Sequence, residues 1–287
     1  MKLSVFVQQQ GVECDFTDSD SWVILSPIEQ SIKRKIEAVG TPLKDWDINI
    51  YRGVLTGYND AFIISTEKRD EILANCQSEK ERKRTAELIR PILRGRDIKR
   101  YGYEWAGLWI INTHNGIKGK LPRIDVNEYP AIKAYLDQYW DKISIRADKG
   151  DTPYNLRNCA YMEDFFKPKI TWGNLNLKST YSYVQKGMFI NAPSPFVATS
   201  NIAILHILNS KLADYYVRSL GVTRNGGYFE YKPMFVEKLP IPQTGLDTLT
   251  SYPSNPSEAQ EKEIDYIIYQ LYQLSLQEID YIENREI

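Results

Sequence analysis

Three glycine-containing segments of the 287-residue chain combine the side-chain types that contact nucleic acids. Lysine and arginine neutralise phosphates, amide and guanidinium groups read base edges, and aromatic rings stack on bases. Each segment alone is equally compatible with an idle polar loop, so the indication lies in their number. Their candidate contact residues are Arg52, Thr56 and Asn59 in segment 52–60, Arg157 and Asn158 in segment 146–158, and Arg224, Asn225 and Tyr228 in segment 221–231.

A basic run between residues 82 and 100 supplies a second group of candidates. It holds eight basic and two acidic residues, a local net charge of +6 in a chain whose total is −1. A polyanion responds to such local patches rather than to the total charge. The run is equally compatible with a solvated helix face, and Pro91, Ile92 and Leu93 suggest that part of it is a structural connector. Its candidates for phosphate contacts are Arg94, Arg96, Lys99 and Arg100.

Two further polar segments contain candidates for base or phosphate contacts. INTHNGIKGK supplies His114, Asn115 and Lys118, and WGNLNLK supplies Asn174. The alternative interpretation of each is a polar turn without a ligand. The other histidine, His206, lies in an apolar helical segment and is predicted to be a core residue.

Motifs for catalysis are weak. An adenine methyltransferase needs a Gly-rich loop for S-adenosylmethionine and an [DNS]PP[YFW] motif for the flipped base, but the nearest string, Asn191-Ala-Pro-Ser-Pro-Phe, lacks the Pro-Pro step. A metal-dependent nuclease needs an aspartate followed by Glu-x-Lys. Two short matches exist, Glu81-Arg-Lys83 and, with Asp214 upstream, Glu230-Tyr-Lys232. We therefore expect no catalytic residue, no metal ion and no cofactor bound by this chain.

Composition predicts a globular protein. Hydrophobic residues make up 43% and charged residues 25% of the chain, which excludes a disordered or fibrous class. Cys14, Cys76 and Cys159 show no CxxC spacing, so neither a disulfide framework nor a zinc site is expected, and a reducing cytosol fits best. The N-terminal MKLSVFVQQQ is too polar for a signal peptide, and no run approaches the roughly 18 apolar residues of a membrane span. We expect a soluble, cytoplasmic protein without a membrane partner.

The pattern of elements predicts an α+β (mixed α/β) fold with short, mostly antiparallel strands and packed helices. Ser26, Pro27 and Glu29 mark a capped helix that ends before Gly40. Helices are also expected in about 67–93, in 130–143 and in 201–220, and a long surface loop in 146–168. Strands are expected in segments 46–64, 108–113 and 167–200.

The C-terminal part is predicted to form an appendage to a body that spans residues 1–245. A Pro/Ser-rich linker is expected at 246–256, followed in 257–287 by an amphipathic helix of about 25 residues. Its acidic face carries eight acidic against two basic residues in 257–287, a local net charge of −6. Its apolar stripe needs a partner surface, either on the body or on another protein.

The order of several motifs resembles the TaqI-like C-terminal specificity domain of adenine-specific methyltransferases in type II and related restriction enzymes. The motifs are RGVLTGYNDAFII, LIRPILRGRDIKRYGYEW and KPKITW, followed by ILHILNSKLADYYV, YFEYKPMFVEKLPIP and IDYIIYQLYQLSLQEIDYIE. The resemblance spans roughly residues 20 to 285. It implies that residues 1–245 are a target-recognition domain for double-stranded DNA.

The same resemblance implies that catalysis belongs to a partner. In that family a methyltransferase domain, which binds S-adenosylmethionine, precedes this region, and some members add a nuclease domain. This chain would supply sequence specificity to them, as a fragment of a larger enzyme or as a free-standing subunit. Two alternatives stay open, an assembly or scaffold protein that acts through its amphipathic tail and a nuclease with an unrecognised site.

Overall fold

The computed structural model describes residues 25–221 and 223–285. The expectations for Cys14 and for the N-terminal segment MKLSVFVQQQ lie outside these ranges. Cys76 and Cys159 are free thiols. Within the described ranges, no helix is both long enough and apolar enough to cross a membrane.

Fourteen short strands occur in the described ranges, and every pairing between them is antiparallel except that of β11 with β4. Two sheets have four strands each, ordered β10-β8-β12-β2 and β11-β4-β7-β3, and three are pairs, β1-β14, β9-β13 and β5-β6. The strands are β1 (Thr41–Pro42), β2 (Ile50–Arg52), β3 (Ile63–Ser65), β4 (Ile89–Leu93), β5 (Ile98–Lys99), β6 (Gly102–Tyr103), β7 (Leu108–Ile111), β8 (Lys169–Trp172), β9 (Leu175–Asn176), β10 (Tyr181–Val184), β11 (Phe189–Ile190), β12 (Pro195–Val197), β13 (Phe229–Glu230) and β14 (Pro240–Ile241).

Twelve α-helices surround the sheets in the same part of the chain, which confirms the predicted mixed α+β class. The first begins at the predicted capping box, in which the Ser26 hydroxyl accepts from the Glu29 amide. The helices are α1 (Pro27–Val39), α2 (Asn59–Phe62), α3 (Thr66–Ala74), α4 (Glu79–Leu88), α5 (Pro130–Asp137), α6 (Trp140–Ile143), α7 (Ile202–Asn209), α8 (Lys211–Leu220), α9 (Pro233–Val236), α10 (Asp247–Thr250), α11 (Glu258–Leu271) and α12 (Leu276–Glu283).

The sheet β10-β8-β12-β2, which we call the central sheet, lies between two hydrophobic cores. Ile170 and Trp172 of β8 belong to the first core, with α1, α7, α8 and the C-terminal helices. Phe196 of β12 belongs to the second core, with β3, β4, β7 and α5. Every residue of β8 is buried, so this strand lacks the polar alternation of a strand with one solvated face.

The buried Lys169 explains part of the KPKITW motif in structural terms. Its ammonium group donates to the carbonyls of Phe165, Lys167 and Met188 at 2.9, 2.6 and 3.0 Å. Burial lowers the pKa of Lys169 to about 8. The three carbonyls tie the end of the 146–168 loop to the start of the central sheet.

The C-terminal segment forms two helices, and the prediction of one helix of about 25 residues is wrong. Gln273 has a left-handed φ of 55°, and Ser275 begins α12 with a capping box to Glu278. The apolar side chains of this C-terminal segment, among them Ile264, Ile268 and Tyr272, are buried in the first core. The tail, defined as residues 257–285, therefore packs on the body of its own chain.

Other predicted helices are also interrupted. Ser210 separates α7 from α8, and its hydroxyl accepts from the Ala213 amide. Residues 89–93 form a strand instead of continuing α4, because Pro91 cannot donate within a helix. The stretch expected as a linker contains α10, whose Leu249 is buried in the first core.

Candidate nucleic-acid interface

One end of the central sheet brings distant candidate residues together. Strand β12 is antiparallel to both β2 and β8, with Pro195 opposite Arg52 and Phe196 opposite Thr171. The end of β2, the start of β12 and the end of β8 therefore meet at one edge. Arg52 ends β2, and Asn174 follows β8. The side-chain amide of Asn174 donates to the Pro193 carbonyl at 3.0 Å, just before the start of β12.

A glycine allows the segment after Arg52 to approach this edge closely. The Gly53 amide donates to the Ser194 carbonyl at 2.8 Å. A Cβ at Gly53 would stand 2.6 Å from the Ile190 carbonyl oxygen, closer than real Cβ contacts allow. The RGVLTGYND motif thus contains a packing requirement as well as candidate contacts.

The turn at Arg94–Asp97 lies at the same edge, since a Cβ at Gly95 would be 2.9 Å from the Ser194 hydroxyl. Arg94 donates twice to the buried Asp97 carboxylate, at 3.0 and 2.7 Å. Burial alone would raise the pKa of Asp97, but the hydrogen bonds from Arg94 lower it. Arg94 therefore stabilises the turn, while Arg96 is exposed.

The expectation that Arg100 faces DNA is revised by its contacts. Its guanidinium lies 2.6 Å from the Glu261 carboxylate of α11. It also donates to the carbonyls of Asn209 and Ser179. Arg100 thus joins the basic run to the tail. Lys99 is exposed and lies 3.5 Å from Glu104.

Segment 52–60 is tied to segment 146–158 by a buried arginine. Arg146 donates to the Thr56 carbonyl and to those of Pro153 and Asn155 at 3.1 and 2.5 Å. Its guanidinium also lies 4.3 Å from the ring centre of Phe62. Burial lowers the pKa of Arg146 to about 10, still far above neutral pH. The guanidinium of Arg146 is thus directed inward, where it positions the two loops.

Segment 112–124 joins the same group of loops through amide side chains. The Asn115 amide donates to the Asp151 carboxylate at 3.0 Å and to the Asn158 side chain. An open pocket of about 780 Å³ is lined by this network and by Lys118, Lys120 and Arg123. We call it the lysine pocket, residues 115–123, 151 and 158–160. Lys120 belongs to the predicted INTHNGIKGK string, whereas Arg123, three residues beyond it, was not among the predicted contacts.

Two of the predicted contact residues are buried, so their assignment is corrected. The Thr56 hydroxyl donates to the Asn59 side chain at 2.6 Å. The His114 ring nitrogen Nδ1 accepts from the Gly116 amide at 3.2 Å, and burial lowers the pKa of His114. Both side chains hold their loops. Arg157 remains exposed and lies 2.9 Å from Asp148.

Segment 223–231 reaches the sheet edge through Asn174. The Tyr231 amide donates to the Asn174 carbonyl at 2.8 Å, and β13 pairs with β9 immediately beside it. Arg224 donates to Glu230 at 2.6 Å but is more than half exposed. Asn225 and Tyr228 are exposed. We call the whole area the sheet-end surface: residues 52–59, 94–99, 174–178 and 223–231, with the lysine pocket and Arg157.

The glutamates of the two Glu-x-Lys matches form contacts within the fold. Glu81 accepts from the amides of Gln77 and Ala131 at 2.8 and 3.1 Å. Glu230 pairs with Arg224 and Lys232, whereas the upstream Asp214 accepts from the Tyr231 hydroxyl. Within the described ranges, no group of three His, Cys, Asp or Glu residues is placed to hold a metal ion.

The string 191–196 and His206 are likewise structural. Asn191 forms an isolated bridge to Val54, and Pro195 and Phe196 are buried in β12 of the central sheet. His206 is completely buried, which confirms the prediction of a core residue.

Residues 90–241 match the TaqI-like C-terminal specificity domain family. Because the match covers more than half of the chain, the chain belongs to this family, as the order of its motifs predicted. It is therefore a specificity domain of the kind found in restriction-modification enzymes. The type II methyltransferase M.PaeR7I of Pseudomonas aeruginosa is 22% identical over 232 residues, which cover 78% of this chain and 38% of the relative.

Two solved structures share the fold. The type IIL restriction-modification enzyme MmeI, solved in complex with DNA, has a TM-score of 0.57 and 12% identity, covering 83% of this chain and 35% of that one. The type IIG restriction endonuclease BpuSI has a TM-score of 0.50 and 14% identity, covering 86% of this chain and 28% of that one. The chain thus spans well under half the length of each protein, and at these identities the structures establish the fold alone.

Proposed function

We propose that this chain recognises double-stranded DNA for a restriction-modification system in the cytoplasm and directs an adenine-specific methyltransferase to its site, without catalysis of its own. The observation that carries the proposal is the sheet-end surface. Candidate contacts from six segments meet there, although Arg52 and Tyr228 are 176 residues apart in sequence. The segments are 52–59, 94–99, 112–124, 146–158, 174–178 and 223–231.

The surface has the two kinds of group that sequence-specific binding requires. Phosphate contacts fix the register of a protein on the duplex, and contacts to base edges specify the sequence. Arg52, Arg96 and Lys118 are exposed cations for phosphates. Asn158 and Asn225 are exposed amides, the group that pairs with adenine in the major groove.

The proposed partner is a methyltransferase domain or subunit, with or without a nuclease, and S-adenosylmethionine belongs to that partner. The relative M.PaeR7I is a methyltransferase more than twice as long as the matched segment, and MmeI was solved with DNA. The internal use of Glu81 and Glu230 supports a chain without a nuclease site. The burial of the tail in the first core argues against a scaffold that acts through a free amphipathic helix.

Selection of bound sequences from a random duplex pool, with and without an added methyltransferase domain, tests the proposal. We expect one enriched sequence and an affinity that falls steeply with salt, because each phosphate contact releases counterions. The variant Arg52→Ala/Arg96→Ala should bind more weakly than the control Arg34→Ala/Lys44→Ala, whose exposed cations lie outside the sheet-end surface. Binding that ignores salt, or equal loss in both variants, would contradict the assignment.

The absence of catalysis is tested separately. The purified chain should transfer no methyl group from labelled S-adenosylmethionine to the selected duplex. Adenine methylation by a preparation free of other methyltransferases would overturn this part of the proposal and leave DNA recognition intact.

A further inference from the structure

The pair β9-β13 exposes apolar side chains beside the candidate base-reading residues. We call residues 174–177 and 228–231 the ribbon. Leu175, Leu177 and Tyr228 are 51%, 53% and 45% exposed. Large apolar side chains grouped on a surface and surrounded by polar groups mark interaction sites. The ribbon is such a group: its three large apolar side chains remain about half exposed to solvent in the described part of the chain.

The register places these side chains together. Leu175 lies in β9 opposite Glu230, and Leu177 directly follows the end of that strand. Asn176 is opposite Phe229, so Leu177 and Tyr228 each lie one residue beyond this last pair. A Cβ at Gly227 would be 3.9 Å from Leu177, and one at Gly226 would be 3.6 Å from the Tyr228 ring. Both glycines have positive φ values, 77° and 75°, so the tip of the turn is bare backbone.

The opposite face of the ribbon is fixed to the first core. Phe229 is buried and packs 5.9 Å from Tyr231, measured between ring centres. The Trp172 indole donates to the Tyr231 carbonyl at 2.6 Å, and the Tyr231 hydroxyl donates to Asp214 at 2.5 Å. The exposed side chains are therefore presented on a rigid base, which lowers the entropic cost of inserting them into a partner.

Charge around the ribbon favours a polyanion over a protein. Arg224 and Lys232 both pair with Glu230, and Lys178 follows the ribbon in sequence, a net charge of +2 from these four residues. Cores of protein interfaces are depleted in lysine, whereas apolar wedges flanked by cations are used to open base steps in DNA. The ribbon also lies within the sheet-end surface, beside the exposed Arg224 and Asn225.

We propose that Leu177 and Tyr228 insert between adjacent base pairs and unstack one step of the recognised duplex. The inference rests on the proposed function and adds a mechanical role to it. Part of the sequence preference would then come from how easily that step opens, in addition to direct base contacts.

The test uses a 30-base-pair duplex recovered from the selection, with 2-aminopurine placed at successive positions. We expect fluorescence to rise at one step on saturation with the full chain, because unstacking relieves quenching. Leu177→Ala/Tyr228→Ala should abolish the rise and weaken binding roughly 5- to 100-fold, the range for lost base stacking contacts. The matched control is Tyr266→Ala/Leu276→Ala in the tail, where the side chains are 55% and 80% exposed.

The outcomes separate the two proposals. If no duplex is recovered, DNA recognition fails and the inference fails with it. If the chain binds a recovered duplex without a fluorescence rise at any position, or the ribbon variant keeps both rise and affinity, only the inference is overturned. A ribbon variant that binds DNA normally but no longer binds a methyltransferase domain would assign the ribbon to a protein interface, which also overturns it.

Discussion

The tail and the sheet-end surface hold their charged groups in different ways. In the tail, Glu261 pairs with Arg100, Glu278 with Lys35 at 2.7 Å, and Glu283 with Lys211. On the sheet-end surface, Arg52, Arg96 and Lys118 are exposed, and none forms an ion pair with any described residue. Acidic residues of the tail thus attach it to the body, whereas Arg96 of the basic run stays exposed.

The basic run contains an exposed arginine and an ion-paired arginine only four positions apart. Arg96 and Arg100 have the same chemistry, yet one is exposed and the other joins three acceptors between the body and the tail. Charge density along a sequence therefore does not separate a binding residue from a structural one. Exposure and pairing in the folded chain do, and the following predictions test this difference.

The largest effect is expected for the apolar attachment of the tail. Ile268→Ala removes a completely buried side chain from the first core, which should lower the free energy of unfolding by about 2–5 kcal/mol. Denaturant unfolding measures this loss. Leu276→Ala, in the same tail but mostly exposed, should change stability by less than about 0.5 kcal/mol. Equal effects would mean that the tail does not share the core of the body.

The polar attachment of the tail predicts acid sensitivity. Burial alone would raise the pKa of Glu278, but hydrogen bonds from Lys35, Ser275 and Ser31 lower it from 4.5 to about 2. A lowered pKa stabilises the fold above the unfolded value, and this contribution disappears as the pH falls from about 4.5 towards 2. It is on the order of 2–3 kcal/mol.

Glu278→Gln isolates that contribution. The variant should be less stable than the unmodified chain at neutral pH, and the difference should vanish as the pH falls through the same window. Unfolding curves of both proteins at several pH values measure it. A difference that stays constant between pH 5 and 2.5 would contradict the role of the ionised carboxylate.

Local signals predicted much of the fold. The capping box at Ser26 begins α1 as expected, and the apolar β-branched run around Leu108–Ile111 forms a strand. Helix breaks were missed at Ser210 and Ser275, because a serine within a helical pattern is equally compatible with a helix interior. Its role as a cap depends on packing that brings the two helices to an angle.

The composition of the candidate site could be predicted, but its assembly could not. Arg52 and Asn174 are 122 residues apart, and only the pairing of β12 with both β2 and β8 places them at one edge. Thr56 and His114 have side chains suited to DNA contacts, and only the fold shows that they face inward. Arg146, the first residue of segment 146–158, links that segment to segment 52–60, which its sequence alone did not indicate.

A smaller effect, confined to sequence preference, is expected for an exposed amide. Asn158→Ala should relax the preference at one or two base pairs and cost roughly 1–3 kcal/mol at the selected site. Repeating the selection with the variant measures both. Arg52→Ala is the comparison, because loss of a phosphate contact should weaken all sequences alike. If Asn158→Ala also weakens all sequences equally, base reading must lie in another segment, first in 223–228.

The smallest expected change in DNA binding, about one unit of salt slope, comes from comparing the two arginines of the basic run directly. Arg96→Ala removes an exposed cation, so the slope of log affinity against log salt should fall by about one unit, with stability within about 0.5 kcal/mol of the unmodified chain. Arg100→Ala leaves Glu261 and two carbonyl groups without their donor, so it should lower stability by roughly 1–3 kcal/mol and leave the salt slope unchanged. Salt titrations and unfolding curves on both variants give four numbers. In the reverse pattern, Arg100→Ala would change the salt slope and Arg96→Ala would change only stability. The Arg100 guanidinium would then have to exchange Glu261 for a phosphate, so this result would mean that DNA binding displaces the tail from Arg100.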